Sequence, residues 1–507
     1  MKHTLIVLVA AMMCGTLAAK KPAVDVSELV ISKQQPVSKT DTATRNALVE
    51  YWKNLDKLPA KKVGAHPSAE IFPGKVSADA PRIAREVAVS HAPIADSVAH
   101  IVENLLYSGR YSDVMYSTGL YLAPGEVLTV RVPEALAGRG IGVQIGCHTD
   151  RLNYWVAGEN DWLRLPLLTV KKTLDKKTTS IASPAGGLVY ITCSPKDEAF
   201  DGTFTIEGAV ASPRFILSQT TDEQWEQALA ETGAPWGEIE SGSIIISLPI
   251  EQLRGLKNPN DKIAMWDEIV GACYDLAQIP TPFYRKQRIV PDVQISGGYM
   301  HSGYPIMANE VACGTLCDPY LLVKHPESGW GFFHEIGHNM QNAVDWVFAG
   351  STEVSVNLFT LYVFDKVIMG RHNAHSHISP VYTRRALEKY FGEGADFEKW
   401  KSDPFLGLIT LRQIQEDFGW EIFKQTFRRF QQLDKQMYGK HRHESREQAE
   451  KRKLEDFVVY LSESAQRDFV PFFRIWGFPV SDDAAGKTSG YPEWIPYNFP
   501  LVKPAAK

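Results

Sequence analysis

His334-Glu335-Ile336-Gly337-His338 is the stretch on which the reading of this 507-residue chain turns. On a helix, residues four apart share a face, so both imidazoles can bind one Zn²⁺. Glu335 then stands beside them as a proton acceptor for an activated water. The bland alternative is a pair of core histidines around a helix carboxylate. Gly337 adds a clue, because Gly in a helix interior costs ~1 kcal/mol relative to Ala. Close approach of another segment is the expected gain.

Two histidines do not close a catalytic zinc site, which takes three protein ligands and one open position. Fourteen residues separate His338 from Glu353, which lies in Ser351-Thr352-Glu353-Val354-Ser355-Val356-Asn357-Leu358-Phe359. Val354, Leu358 and Leu361 mark the apolar side of a helix there, and Ser351 or Thr352 can cap its start. Glu353 is the expected third ligand, and Asn357, one turn further on, is expected to orient the site. The rival reading of Glu353 is a carboxylate stabilised by the helix dipole. Asp345 and Glu310 are alternative ligands. Such a site points to hydrolysis at a carbonyl, with Glu335 as general base. Tyr304 and His301 are candidate donors to the oxyanion that forms.

Outward from the motif, almost everything periodic after residue 330 is helical. Phe405, Leu408, Ile409, Leu411, Ile414 and Phe418 recur at helix spacing, followed by Ile422, Phe423, Phe427 and Phe430. That aromatic stripe reads as packing core. Between 215 and 330 the signals mix, with a strand over 244–248 and an amphipathic helix over 261–278. Residues 110–215 read as several short strands, at 127–132, 141–145, 188–192 and 204–206, separated by Pro-Gly and Gly-Gly turns. An antiparallel β-sandwich is expected there. The segment 20–109 reads as a linker or N-terminal helical region, with a short helical pattern over 43–58.

Composition narrows the function classes. Hydrophobic residues make up 44% and charged residues 22%, as in a folded globular chain, and the net charge of −5 gives no broad pull toward nucleic acid or anionic lipid. Residues 1–19 read as an export signal cleaved near Ala18 or Ala19, since Lys2 and His3 precede an apolar run too short to span a bilayer. No transmembrane segment is expected in the mature chain. Five cysteines remain after that signal, an odd number, so at least one thiol stays free. Cys313 and Cys317 are expected as a disulfide or two buried thiols.

More than the zinc motif is familiar. Tyr116-Ser117-Thr118-Gly119-Leu120-Tyr121-Leu122-Ala123-Pro124-Gly125-Glu126 resembles the opening motif of the enhancin-like zinc metallopeptidases, a family that includes viral enhancins and bacterial mucin-degrading enzymes. Segments 186–191, 233–238, 298–306, 334–341 and 472–480 match its pattern in the same order. The resemblance implies a gluzincin-type peptidase in which His334, His338 and Glu353 hold Zn²⁺ and Glu335 is the catalytic base. It implies glycoprotein substrates, often mucin-like and O-glycosylated. The fold class expected is α+β: an N-terminal antiparallel β-sandwich, then a mixed α/β to mainly helical zincin-like catalytic domain over 216–500.

Weaker signals have plainer readings. Arg371-His372-Asn373-Ala374-His375-Ser376-His377 reads as a polar loop rather than a metal site. His148 and Asp150 fit a turn after a strand. The charge-dense 440–453 reads as a solvated helix. Trp155, Trp162, Arg151 and Arg164 can contact sugars or pack at a sandwich edge. The expectation is an exported zinc endopeptidase for glycoproteins; the alternatives are a mucin-binding adhesin with a structural metal, or a peptidase for unglycosylated or cell-wall peptides.

Overall fold

Alternating burial along short β-branched runs builds the first half of the molecule. The structure, a computed structural model, describes residues 24–108, 112–370, 374–437 and 443–497. The export signal over 1–19 lies outside the described residues. Eight strands form the N-terminal unit: β1 (Ile83–His91), β2 (Val114–Leu122), β3 (Val127–Arg131), β4 (Gly142–Ile145), β5 (Val170–Thr173), β6 (Thr178–Ala182), β7 (Gly187–Cys193) and β8 (Phe200–Ala211). They pair in the order β5-β4-β7-β2-β8-β3-β6, with β1 also on β8, and every pairing is antiparallel. The twelve-residue β8 serves both layers of the sandwich. Its body pairs with β1 and β3, while Val210 and Ala211 pair with β2.

The region expected as a linker or helical segment contributes one of these strands. Nine residues of β1 pair with β8, and Val87, Val89 and His91 face inward while Glu86, Ala88 and Ser90 do not. Those polar residues hide the run from a search for β-branched clusters. The short helical pattern over 43–58 forms the helix Thr42–Lys53, capped by the Asp41 carboxylate accepting from the Thr44 backbone.

A second, mixed sheet follows, made of β9 (Arg214–Ile216), β10 (Trp236–Glu240), β11 (Ile244–Pro249), β12 (Gln287–Asp292), β13 (Met300–His301) and β14 (Ile306–Asn309). Their order is β13-β14-β12-β11-β10-β9. Successive side chains on a strand point to opposite faces. Ile289 and Ile306 accordingly pack into the helical core, and their neighbours Val290 and Met307 into the sandwich core. This sheet is the wall between the two.

One buried ion pair ties the wall to the sandwich. Arg288 of β12 donates to Glu238 of β10 at 2.8 Å, and to the Met115 carbonyl and Ser117 hydroxyl of β2, both also at 2.8 Å. Burial would raise the Glu238 carboxyl, but the Arg288 charge and its hydrogen bonds hold it below its ordinary range.

On the other face lies the helix Pro259–Ala277, packed against Thr352–Val363, and beyond it Pro404–Phe418, Glu421–Met437 and Arg446–Ala465. The aromatic stripe expected as core is core: Phe423, Phe427 and Phe430 are buried, and Phe427 stacks on Trp346 and Phe359. Among the described residues all five cysteines are free and buried, so Cys313 and Cys317 are thiols rather than a disulfide. No helix among them is long and apolar enough to cross a membrane. The fold is α+β, a β-sandwich ahead of a mixed sheet and a mainly helical C-terminal region.

Candidate metal and catalytic site

The helix Trp330–His338 buries Phe332, Phe333, Ile336 and Gly337 and carries His334 and His338 one turn apart. The chain then turns through 339–351 and enters the helix Thr352–Val363. Ser351 is its N-cap residue, but its hydroxyl donates to the Phe348 carbonyl instead of capping. Its backbone is already helical, which turns the side chain away from the N–H groups ahead of it. The two helices touch at Gly337. A Cβ there would sit 2.8 Å from Phe359 Cβ and 3.1 Å from Val356 Cγ2.

That contact brings the donors together. Glu353 Oε2 lies 3.1 Å from His334 Nε2 and 3.4 Å from His338 Nε2. Tetrahedral ligands at ~2.1 Å from an ion are ~3.4 Å apart, so the spacing fits a zinc ion. The Nδ1 atoms are each held from behind. His334 Nδ1 meets Asn357 Oδ1 at 2.9 Å, and His338 Nδ1 meets Gln341 Oε1 at 2.6 Å. An amide oxygen accepts, so each Nδ1 carries the hydrogen and each Nε2 keeps its lone pair for a metal. Asn357 is itself anchored by donating to the Glu353 carbonyl, and Gln341 by donating to the Thr352 carbonyl and Ser355 hydroxyl.

When each Nε2 holds a hydrogen rather than an ion, hydrogen bonds from His334 and His338 hold the Glu353 carboxyl well below its usual range. Burial alone would lower His334, but the bond to Glu353 and the charge of Glu335 raise it above the ordinary imidazole value.

Other candidates fall elsewhere. The Tyr304 hydroxyl accepts from the Met115 N–H and Arg288 Nε, both at 3.3 Å, so it braces the sheet against β2 and is not brought to the cluster. His301 is nearer, within the field of Glu335, but its ring is committed: Nε2 bonds Asp150 at 2.8 Å and Nδ1 bonds the Ser302 carbonyl at 2.9 Å. Asp345 is buried and bonded by Asn342, and Glu310 pairs with Lys33. His148 is buried between Phe72 and Trp236, and burial pushes it down to about 3. Arg164 is sealed against Asp292, and Trp162 donates to the Leu152 carbonyl, so neither faces solvent for a sugar. Trp155 does, at 67% exposure, with its ring 5.7 Å from that of His301.

Of the histidine-rich loop, 371–373 lie outside the described residues, while His375 stacks on Phe405 and His377 meets that ring edge-on. Part of 440–453 also lies outside. Its described end is less solvated than expected, since buried Lys453 donates to the Val347 carbonyl in the turn between the two site helices.

The sequence reading missed two residues. Gln341 follows His338 by three positions, a spacing that could have flagged it. Tyr107 carries no such signal. It arrives from the segment between β1 and β2, clamped by Leu106 N–H to the Gln341 carbonyl and Ser108 hydroxyl to the Asn339 carbonyl, both at 2.8 Å. Its ring meets the edge of His338 with centroids 5.1 Å apart. Burial, then the charges of Glu353 and Glu335, raise its phenol above the ordinary value.

A family model described as Peptidase M60, enhancin and enhancin-like, matches residues 208–477, over half of the chain. The chain belongs to this family. A second model, the N-terminal domain of M60-like peptidases, matches residues 85–207. This M60 chain is 36% identical over 385 residues to human (Homo sapiens) TRPM8 channel-associated factor 2, covering 76% of the chain and 40% of that relative. A TRPM8 channel-associated factor homolog from Xenopus laevis is 33% identical over 379 residues, covering 75% of the chain and 40% of that relative. The chain therefore spans about 40% of the length of the curated relatives it matches.

Among solved structures, ZmpB metallopeptidase from Clostridium perfringens matches with a TM-score of 0.60 at 15% identity, over 81% of this chain and 80% of that one. IMPa metallopeptidase from Pseudomonas aeruginosa, in complex with an O-glycopeptide, matches with a TM-score of 0.58 at 18% identity, over 82% and 52%. At such identities the likeness is one of fold.

Proposed function

We propose that this protein is an exported zinc metalloendopeptidase that hydrolyses peptide bonds in O-glycosylated, mucin-type glycoproteins. The observation that carries the reading is the cluster of His334, His338 and Glu353, whose ligand atoms all lie within 4.8 Å of one another, in a chain of the M60 family. Zinc held there would supply a Lewis acid that polarises the scissile carbonyl and makes water acidic enough to lose a proton near neutral pH.

The residues of this chain do the rest. Glu335 accepts a proton from the attacking water while the water oxygen bonds to the carbonyl carbon. It then delivers that proton to the amide nitrogen as the carbon–nitrogen bond breaks, leaving a carboxylic acid and an amine. Asn357 and Gln341 hold the two imidazoles in the tautomer that keeps both Nε2 lone pairs forward.

Two observations support a glycosylated substrate. The fold is shared with IMPa, which has been solved with an O-glycopeptide. A cavity of about 610 Å³ is lined by Asp150, the partner of His301, and by Arg151, Gln144 and Trp52 among others, while exposed Trp155 lies next to His301 outside that lining. Polar groups around a few apolar ones, with an indole face, suit a sugar.

The TRPM8 channel-associated relatives favour a second reading, in which the unit binds a membrane protein without cutting it. Incubating the purified chain with mucin separates the two. Fragments that vanish with a chelator, return with zinc and are absent with Glu335→Gln support the peptidase. Undiminished cleavage of the deglycosylated substrate would remove the glycan from the proposal. Binding without fragments would favour the second reading.

A further inference from the structure

We propose that Tyr107 is a catalytic residue, donating its phenolic hydrogen to the oxygen that turns negative as the peptide carbonyl becomes tetrahedral. The inference rests on the peptidase reading above and supplies the donor it lacks. As the water oxygen bonds to the carbonyl carbon, the carbon–oxygen π pair moves onto the carbonyl oxygen. A hydrogen bond aimed at that oxygen strengthens as charge develops, and so favours the transition state over the substrate.

The two donors expected from the sequence are engaged elsewhere, His301 by Asp150 and the Ser302 carbonyl, Tyr304 at the β2 interface. Tyr107 stands against His338 instead, on the side reached by the charges of both Glu335 and Glu353. The residue is 43% exposed, so a substrate can reach it.

Position is fixed from both sides. Residues 104–108 run alongside 339–343, just past His338, through the Ala343 N–H to Asn104 carbonyl, the Leu106 N–H to Gln341 carbonyl and the Ser108 hydroxyl to Asn339 carbonyl, each at 2.8 Å. The Ser108 carbonyl in turn accepts from Arg285 at 2.6 Å. A donor held by four bonds that also brace the stretch carrying Asn339 and Gln341 is preorganised relative to His338, the condition for an oxyanion donor. A residue needed only for packing would serve equally well as Phe.

Tyr107→Phe keeps the ring and its edge contact with His338 and removes only the hydroxyl. In the full chain loaded with zinc, its zinc content and melting temperature should match wild type. Its kcat on an O-glycosylated mucin should fall about 100-fold with KM within about threefold. Independently of turnover, its affinity for a phosphinic peptide, whose tetrahedral centre mimics the oxyanion, should fall at least tenfold, while that for a planar hydroxamate peptide stays level. A kcat within threefold of wild type, or equal phosphinate affinity, would overturn the proposal. Wild type that holds zinc but neither cleaves nor binds either compound would overturn the peptidase reading as well, and is told apart by that result.

Discussion

At the residue scale, the site consists of three donors and the two amides that aim them. Protons compete with a metal for the lone pair of His334, and the raised pKa of this imidazole sets where. A raised pKa means the proton is still held above ~6.5, the ordinary imidazole value, so zinc affinity should begin to fall while the pH is still above it. Asn357 contributes to that rise by accepting from Nδ1. Asn357→Leu should therefore lower zinc affinity at pH 8 by about 10- to 100-fold and move the acid loss to lower pH. Competition with a chromogenic chelator across pH 5–8 measures both; unchanged affinity would show that the amide does not tune the ligand. His334, His338, Glu353 and Asn357 were legible because helix spacing links each to a neighbour in sequence. Tyr107 was not, since more than 200 residues separate it from His338 and only the fold joins them.

At the scale of elements, Gly337 decides how closely two helices run. A zinc ion shared by the three donors would need Glu353 within ~3.4 Å of both imidazoles, and the helices meet where a Cβ on residue 337 would lie 2.8 Å from Phe359 Cβ. Alanine gains about 1 kcal/mol of helix propensity, while overpacking costs ~1–3 kcal/mol. Because Phe359 Cβ is fixed to its backbone, relief requires the helices to part. Gly337→Ala is thus expected to destabilise by up to about 2 kcal/mol in urea and to weaken zinc binding; a variant as stable as wild type with full zinc affinity would contradict the close-packing account. The sequence pattern foretold this contact through the cost of a helical glycine. Strands were harder to read. β10 and β12 are buried on both faces and lose the alternation that marks a strand, and β1 has a polar outer face on a region otherwise poor in signal.

For the molecule as a whole, the mixed sheet lets the sandwich and the helices share a wall. Arg288 sits in it, 1% exposed, and reaches Glu238 and two groups of β2. Removing one partner of such a pair leaves a buried charge unpaired and typically costs ~3–5 kcal/mol. Arg288→Met should lose stability of that order in urea and loosen the sandwich from the sheet; a loss under ~1 kcal/mol would mean this ion pair does not hold the two halves together. That ion pair was invisible in the sequence, where Glu238 and Arg288 stand 50 positions apart with no pattern linking them.

The central claim is that this assembly cuts glycoproteins with Glu335 as base. Its most direct test is mass-spectrometric mapping of an O-glycosylated protein after incubation with the zinc-loaded chain. New termini beside glycosylated Ser or Thr with wild type, and none with Glu335→Gln, are the predicted result. No new termini with the zinc-loaded wild type, or the same termini with Glu335→Gln, would contradict it.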